Sequence, residues 1–246
     1  MGAELAQHLI DTCTREGEVV AEGFTTSDAV LRAAARSGRR AISCVPHPPL
    51  ARHIATLLRT DLPDRQLSGL LFRPCRPDQM LRGLADHLER VSLVVAAPPP
   101  YRLGAVQEPV PRRGHGGCPA CLSDTLTGGE LRLEGFLLGA WRVLRRGGHL
   151  AVITTARHED GRMVDPAPQI IRQARALGFR YRQHVIALRV PVAGDTLVVQ
   201  ARPHELAQLR DVRSRALPPA ATVHADVCLF TKSAAAPSAK PERSAR

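Results

Sequence analysis

The segment Ser92-Leu-Val-Val-Ala-Ala-Pro-Pro-Pro-Tyr101 runs an apolar strand directly into three prolines and a tyrosine. Proline fixes φ, offers no N–H and holds the residue before it extended, so Pro98, Pro99 and Pro100 must end the ladder in a stiff, non-helical exit. Carbonyls left without local partners, followed by an aromatic ring, make a place to hold a flat polar group such as a nucleobase amine. A polyproline loop that only caps the strand has the same composition, so the neighbouring elements must choose between the two readings.

Two further groups have chemical potential. His115-Gly-Gly-Cys118-Pro-Ala-Cys121 has the spacing of half a zinc site, although free thiols in a loop fit as well because no second pair of ligands lies nearby in the sequence. Arg112 and Arg113, with Arg202 and Arg210 in a later basic insert, are candidates for contact with nucleic-acid phosphates; a solvated helix face is the alternative for the insert.

The elements that must position these residues alternate. A helix is expected over Glu4–Cys13, a strand over Glu18–Ala21, a turn through Gly23-Phe-Thr-Thr-Ser-Asp28, and a helix over Ala29–Ser37 capped by Ser27 or Asp28 and stopped by Gly38. Arg40–Val45 reads as a strand, Pro48–Leu58 as a helix, Leu67–Phe72 as a strand, Asp78–Arg90 as a helix and Val91–Ala96 as a strand. After the long loop 102–127 come a helix over Leu131–Leu144, a strand over His149–Thr155, a helix over Asp165–Leu177 and a strand over Phe179–Val190. The insert 191–219 precedes a last strand, Val223–Thr231, and the tail 233–246 is expected to be disordered. Strands alternating with helices mark an α/β protein with a parallel sheet, here one domain over residues 1–232.

With 246 residues, 44% hydrophobic and 23% charged, the chain has the composition of a globular protein. No stretch approaches the ~20 apolar residues of a membrane span, the N-terminus lacks a signal-peptide layout, and Ala6 stands where a myristoylated Gly2 would want Ser or Thr. Together with six scattered cysteines, this leads to the expectation of a cytoplasmic protein with reduced thiols and no membrane. The net charge of +11 points to a polyanionic partner, nucleic acid and DNA in the first place. Only Lys232 and Lys240 are lysines, so nearly all of that charge is arginine, which a GC-rich coding sequence would also enrich.

The strand followed by Pro-Pro-Tyr resembles the catalytic motif of the DNA methyltransferases that modify an exocyclic amine, the N4-cytosine and N6-adenine enzymes. Their pattern is Asp, Asn or Ser, then Pro-Pro-Tyr or Phe; here it reads Pro98-Pro99-Pro100-Tyr101, with Pro98 in the polar position. The order of elements over about residues 4–232 is similar to class I S-adenosylmethionine-dependent methyltransferases. That resemblance implies a Rossmann-like α/β sheet of about seven strands, mostly parallel with an antiparallel last strand. It also implies S-adenosylmethionine as cofactor, held by Ala21, Glu22, Gly23, Phe24 and Thr25 after the first strand and by Val45 and His47 after the second. Pro98 to Tyr101 would then hold the target amine, with Tyr101 stacking on a base displaced from its helix.

The chain departs from that pattern where the cofactor is gripped. One glycine, Gly23, remains in the first turn; no carboxylate follows the second strand to take the ribose hydroxyls; and Arg73-Pro74-Cys75-Arg76 replaces an acid after the third, with Asp78 expected as a helix cap. Glu22 is the surrogate beside the expected acidic position. Each lost charge-assisted hydrogen bond removes about 1.5–3 kcal/mol, so two predict binding weaker by about a hundredfold. Two functions follow: an active amino-methyltransferase, or a methyltransferase fold whose cofactor chemistry has lapsed and which binds nucleic acid or a protein partner.

Overall fold

The computed structural model describes residues 1–98, 133–159, 162–189, 192–197 and 224–233. Its first half alternates α1 (Ala3–Cys13), β1 (Val19–Glu22), α2 (Ala29–Arg36), β2 (Arg40–Cys44), α3 (Pro48–Asp61), the short α4 (Asp64–Leu67) and β3 (Leu70–Arg73). The one-turn α5 (Met80–Gly83) then leads to β4 (Val91–Ala96). The second half carries α6 (Leu133–Val143), β5 (Leu144–Thr154), a hairpin of β6 (Arg157–Glu159) and β7 (Arg162–Val164), and α7 (Ala167–Ala176). It ends with β8 (Phe179–Leu188), a hairpin of β9 (Val192–Ala193) and β10 (Thr196–Leu197), and β11 (His224–Lys232).

Seven strands form the main sheet in the order β3-β2-β1-β4-β5-β11-β8. Pairing is parallel from β3 through β5, and β11 runs antiparallel to both β5 and β8. The expected sheet, with its antiparallel last strand, is the one observed. Because β2 and β3 lie on one side of β1 and β4 on the other, the chain reverses direction across the sheet at β1/β4. The helices that follow β1 and β4, α2 and α6, pack on opposite faces of the sheet there, and the space beyond the carboxyl ends of these two strands is the usual ligand position in such sheets.

Both faces are covered, which is why β1, β2 and β4 read as mainly apolar runs rather than alternating ones. On one face Ala21, Ile42, Val94 and Val152 pack with Phe136 and Leu137 of α6 and Ile170 of α7. On the other, Val20, Ala41, Leu93 and Val95 meet Leu9 and Ile10 of α1, Val30 of α2 and Ile54 of α3. The spacing of Ala6, Leu9, Ile10 and Cys13 gives α1 its buried stripe. Polar groups lock the strand starts. Arg145 donates from Nε to Ser92 Oγ (2.8 Å) and from Nη2 to Glu18 Oε1 (2.8 Å), joining β5 to β4 and to the approach of β1. Buried Lys232 donates to the Leu144 carbonyl (2.7 Å), pairs with Glu89 (3.2 Å) and lies 5.2 Å from the centroid of the Trp141 ring.

The helix expected over Asp78–Arg90 is not continuous. It is a 3₁₀ turn at Pro77–Gln79, then α5, then a second 3₁₀ turn at Ala85–His87. Two packing demands break it: Leu84 and Met80 both turn into the core, and Gly83 lies against Cys75 so closely that a Cβ there would come within 2.3 Å of the Cys75 sulfur. Leu67 belongs to α4 rather than to the third strand, which starts at Leu70. The fifth strand begins at Leu144, directly after α6, and passes through Gly147 at φ 72°, so the glycines serve a bend in the strand instead of ending the helix. The hairpins β6/β7 and β9/β10 were not expected. Among the described residues, no helix is long and apolar enough to cross a membrane.

The Gly83 contact makes a specific expectation. Gly83→Ala should lower the unfolding free energy by about 1–3 kcal/mol, the usual penalty of overpacking, and combining it with Cys75→Ala should restore part of that loss. Denaturant melts of both variants test it, and equal stability of Gly83→Ala and wild type would remove the close packing.

Candidate functional site

The candidate site lies at the carboxyl ends of β1, β2, β3 and β4. β1 ends on Glu22, which is 5% exposed. The chain then turns at Gly23, whose N–H donates to the Val95 carbonyl of β4 (2.9 Å) and so ties the first turn across the crevice. Gly23 admits no side chain, since a Cβ would lie 2.5 Å from the Phe136 ring. That ring meets Phe24 edge-on at 5.1 Å, so the turn is backed by an aromatic pair.

Glu22 is held by hydroxyls. Thr25 Oγ1 lies 2.9 Å and Ser43 Oγ 3.0 Å from Glu22 Oε2, and the two hydroxyls are within hydrogen-bond reach of each other. Three oxygens in mutual contact need three protons for three hydrogen bonds, and two hydroxyls supply only two. With both hydroxyls donating to Oε2, a proton on the Glu22 carboxyl is what would let the Thr25–Ser43 contact also be a hydrogen bond. Burial independently pushes the Glu22 carboxyl up to about 7, the two hydroxyl hydrogen bonds pulling in the opposite direction without prevailing. All three side chains are buried, so the network closes the base of the first turn onto β2.

Other carboxylates near these strand ends are also engaged. Asp28 occupies the residue before α2, but its side chain makes no capping bond and instead receives Arg32 Nε at 2.9 Å; Arg32 also pairs with Asp61. Asp78 likewise does not cap a helix: Arg76 grips it through Nε (3.0 Å) and Nη2 (2.6 Å). β2 ends in buried Cys44, followed by buried Val45. Cys75, just past β3, is hydrogen-bonded to Cys44, and this contact together with burial raises the Cys44 thiol. His47 is the residue preceding α3, where its Nδ1 accepts the Leu50 N–H at 3.3 Å, leaving Nε2 outside that bond.

A ribose diol calls for a carboxylate with both oxygens available. Among the described residues at these strand ends, Glu22 is closed into its hydroxyl network, Asp28 and Asp78 are paired with arginines, and β2 offers a thiol and a valine. The residues present do not fit that part of S-adenosylmethionine. Gly23 and Phe24 lie in the turn, with Ala21 buried beneath it in β1. β4 delivers Pro98 to the crevice, while Pro99, Pro100, Tyr101, Arg112, Arg113, Cys118, Cys121, Arg202 and Arg210 lie outside the described residues.

Sequence reasoning missed two participants. Ser43 had a legible signal, a hydroxyl inside the apolar run Ala41-Ile42-Ser43-Cys44-Val45. Phe136 had none, because its approach to Gly23 is set by how α6 packs. Farther along the same edge, Asp226 of β11 lies opposite Thr154 of β5 and bonds His184 Nε2 of β8 at 2.8 Å, a polar row reachable only once β8 and β11 are paired.

Solved structures give the fold its counterpart. A predicted O-methyltransferase from Agrobacterium tumefaciens aligns over 95% of this chain and 82% of its own, with 14% identity and a TM-score of 0.53. This chain has the class I methyltransferase fold. Geranyl diphosphate methyltransferase aligns over 94% of this chain and 78% of its own in the structure with GPP and sinefungin, at 11% identity and TM-score 0.54. Its structure with SAM covers 94% and 85%, at 12% and 0.52. No family model matches the sequence, and no curated protein matches it.

The Glu22 network sets a pH dependence. A carboxyl raised from 4.5 to about 7 on folding contributes stability that is complete below 4.5 and is lost as pH rises through 7. At about 1.4 kcal/mol per pH unit the loss is on the order of 3 kcal/mol by pH 8. Glu22→Gln should flatten the profile between pH 5 and 8, making the variant the more stable protein at about pH 8. Urea melts across that range check it, and parallel profiles for variant and wild type would place the titration elsewhere.

Proposed function

We propose that this chain is a nucleic-acid-binding protein built on the framework of the DNA amino-methyltransferases, in which the end of β4 that receives a base outlasts the acidic contacts of the cofactor. The observation that carries this reading is the engagement of Glu22: the carboxyl nearest the ribose position is buried, bonded to Thr25 and Ser43, and raised to about 7. With no free carboxylate at the ends of β1 to β3 among the described residues, the fold lacks the usual means to bind the donor tightly. Its net charge of +11 favours a polyanion, and the strand ending in Pro98, followed in sequence by Pro99-Pro100-Tyr101, supplies carbonyls and a ring suited to a displaced base.

A second reading is favoured by one observation: the first turn keeps its glycine, Gly23, whose N–H is bonded to Val95 of the strand that leads to Pro-Pro-Tyr. In it the chain is an active amino-methyltransferase on cytosine or adenine of DNA. S-adenosylmethionine would supply the methyl group, and the proline carbonyls would orient the exocyclic amine.

Calorimetric titration with S-adenosylmethionine separates the two. The first reading expects a dissociation constant in the millimolar range or weaker, and a micromolar constant would establish the second in its place. Nucleic-acid binding, common to both, is expected to weaken steeply with salt; a flat profile would mean that phosphate contacts do not drive it.

A further inference from the structure

The opposite edge of the sheet, where β4 and β5 begin, β11 ends and β8 begins, gathers several arginines. Backbone contacts gather its residues: Arg90 N–H donates to the Val143 carbonyl (3.1 Å), which puts Arg90 beside Arg142 and the start of β5. Arg180 pairs across the ladder with Thr231, which in turn pairs with His149 of β5. Arg90, Arg142, Arg146, Arg180 and Arg182 are exposed. Two carboxylates at this edge are already engaged, Glu18 by Arg145 and Glu89 by Lys232. Arg90, Arg142, Arg180 and Arg182 carry no ion pair among the described residues.

Local structure accounts for only part of this. Arg142 sits in the last turn of α6, where a cation offsets the helix dipole. Arg180 and Arg182 lie on a strand, where no helix end calls for them, and Arg182 sits beside the register shift at Leu229/Phe230. Their field converges inward: after burial, Arg145 and Arg182 are what hold His149 below the usual histidine value. Cations clustered without counter-charges repel one another, and a polyanion of regularly spaced phosphates relieves that repulsion while releasing its own counterions.

We propose that this edge, formed by Arg90, Arg142, Arg180 and Arg182, is a docking surface for the phosphate backbone of nucleic acid, separate from the base-receiving edge at Pro98. The proposal rests on the nucleic-acid reading given above and assigns it a second contact surface. Such contacts carry no sequence information; they hold the polymer against the protein while the far edge meets a base.

The test uses the full chain and fluorescence anisotropy with a short DNA single strand, the matching duplex and an RNA strand over a series of salt concentrations. Replacing both strand cations, Arg180→Gln with Arg182→Gln, should weaken binding roughly tenfold and reduce the log–log salt slope by about 2. The same charge change on α3, Arg52→Gln with Arg59→Gln, should leave affinity within about twofold, and circular dichroism should match wild type for both. If wild type binds and the strand pair has no effect, this surface is overturned while the nucleic-acid reading stands. If wild type binds neither DNA nor RNA, both fall. Binding to phosphatidylserine vesicles alone, abolished by the strand pair, would overturn the proposal in favour of a membrane.

Discussion

A buried carboxyl that shares one oxygen with two hydroxyls has to keep its own proton if all three contacts are to be hydrogen bonds. Glu22 is in that position, and the first turn of the fold is built around it. Its network with Thr25 and Ser43 spans β1, the turn and β2. Gly23, next in the chain, uses its N–H on β4 and has its open side against Phe136. The Glu22 side chain therefore joins β1 to β2, and the turn it anchors reaches β4 and the helix that precedes β5 through Gly23. Ionising it would put a charge where burial opposes it, and removing the hydroxyls would orphan the acid.

This constraint shapes what the crevice can do. In a sheet of this order the crevice between β1 and β4 is the natural ligand position, and its acidic groups decide which ligand is held. Here those groups serve the scaffold: Glu22 binds hydroxyls, Asp28 binds Arg32 and Asp78 binds Arg76. The side chains that remain at the end of β2 are apolar or thiol, and His47 works as a helix cap through one ring nitrogen. Positive charge is plentiful elsewhere, including the exposed arginines Arg90, Arg142, Arg180 and Arg182 at the far edge of the sheet. The molecule thus combines a methyltransferase architecture with a net charge of +11.

The sequence carried most of the fold because the sheet is covered on both faces: the strands are short apolar runs and the helices have periodic buried stripes, both local signals. The antiparallel close of the sheet was readable from the two late strands. Legibility failed where tertiary contact overrode local pattern. The stretch from Pro77 to His87 has helical composition, yet Gly83 against Cys75 and the inward turns of Met80 and Leu84 divide it into three short pieces. Asp28 and Asp78 look like caps in the sequence and act as arginine partners, since an adjacent guanidinium offers two donors where a helix end offers weaker ones. At the site, the absence of a carboxylate after β2 was visible in Val45-Pro46-His47, whereas the use of Glu22 required knowing that Ser43 of the neighbouring strand faces it.

The direct measurement of the central claim is a pH titration of the Glu22 carboxyl carbon by NMR in protein labelled at glutamate, with Glu22→Gln assigning the resonance. A midpoint near 7 is expected, so that the group is largely protonated at pH 6 and unavailable as an ionised ribose acceptor. A midpoint near the ordinary glutamate value of about 4.3 would contradict the account, because a fully ionised Glu22 would be free to serve the cofactor.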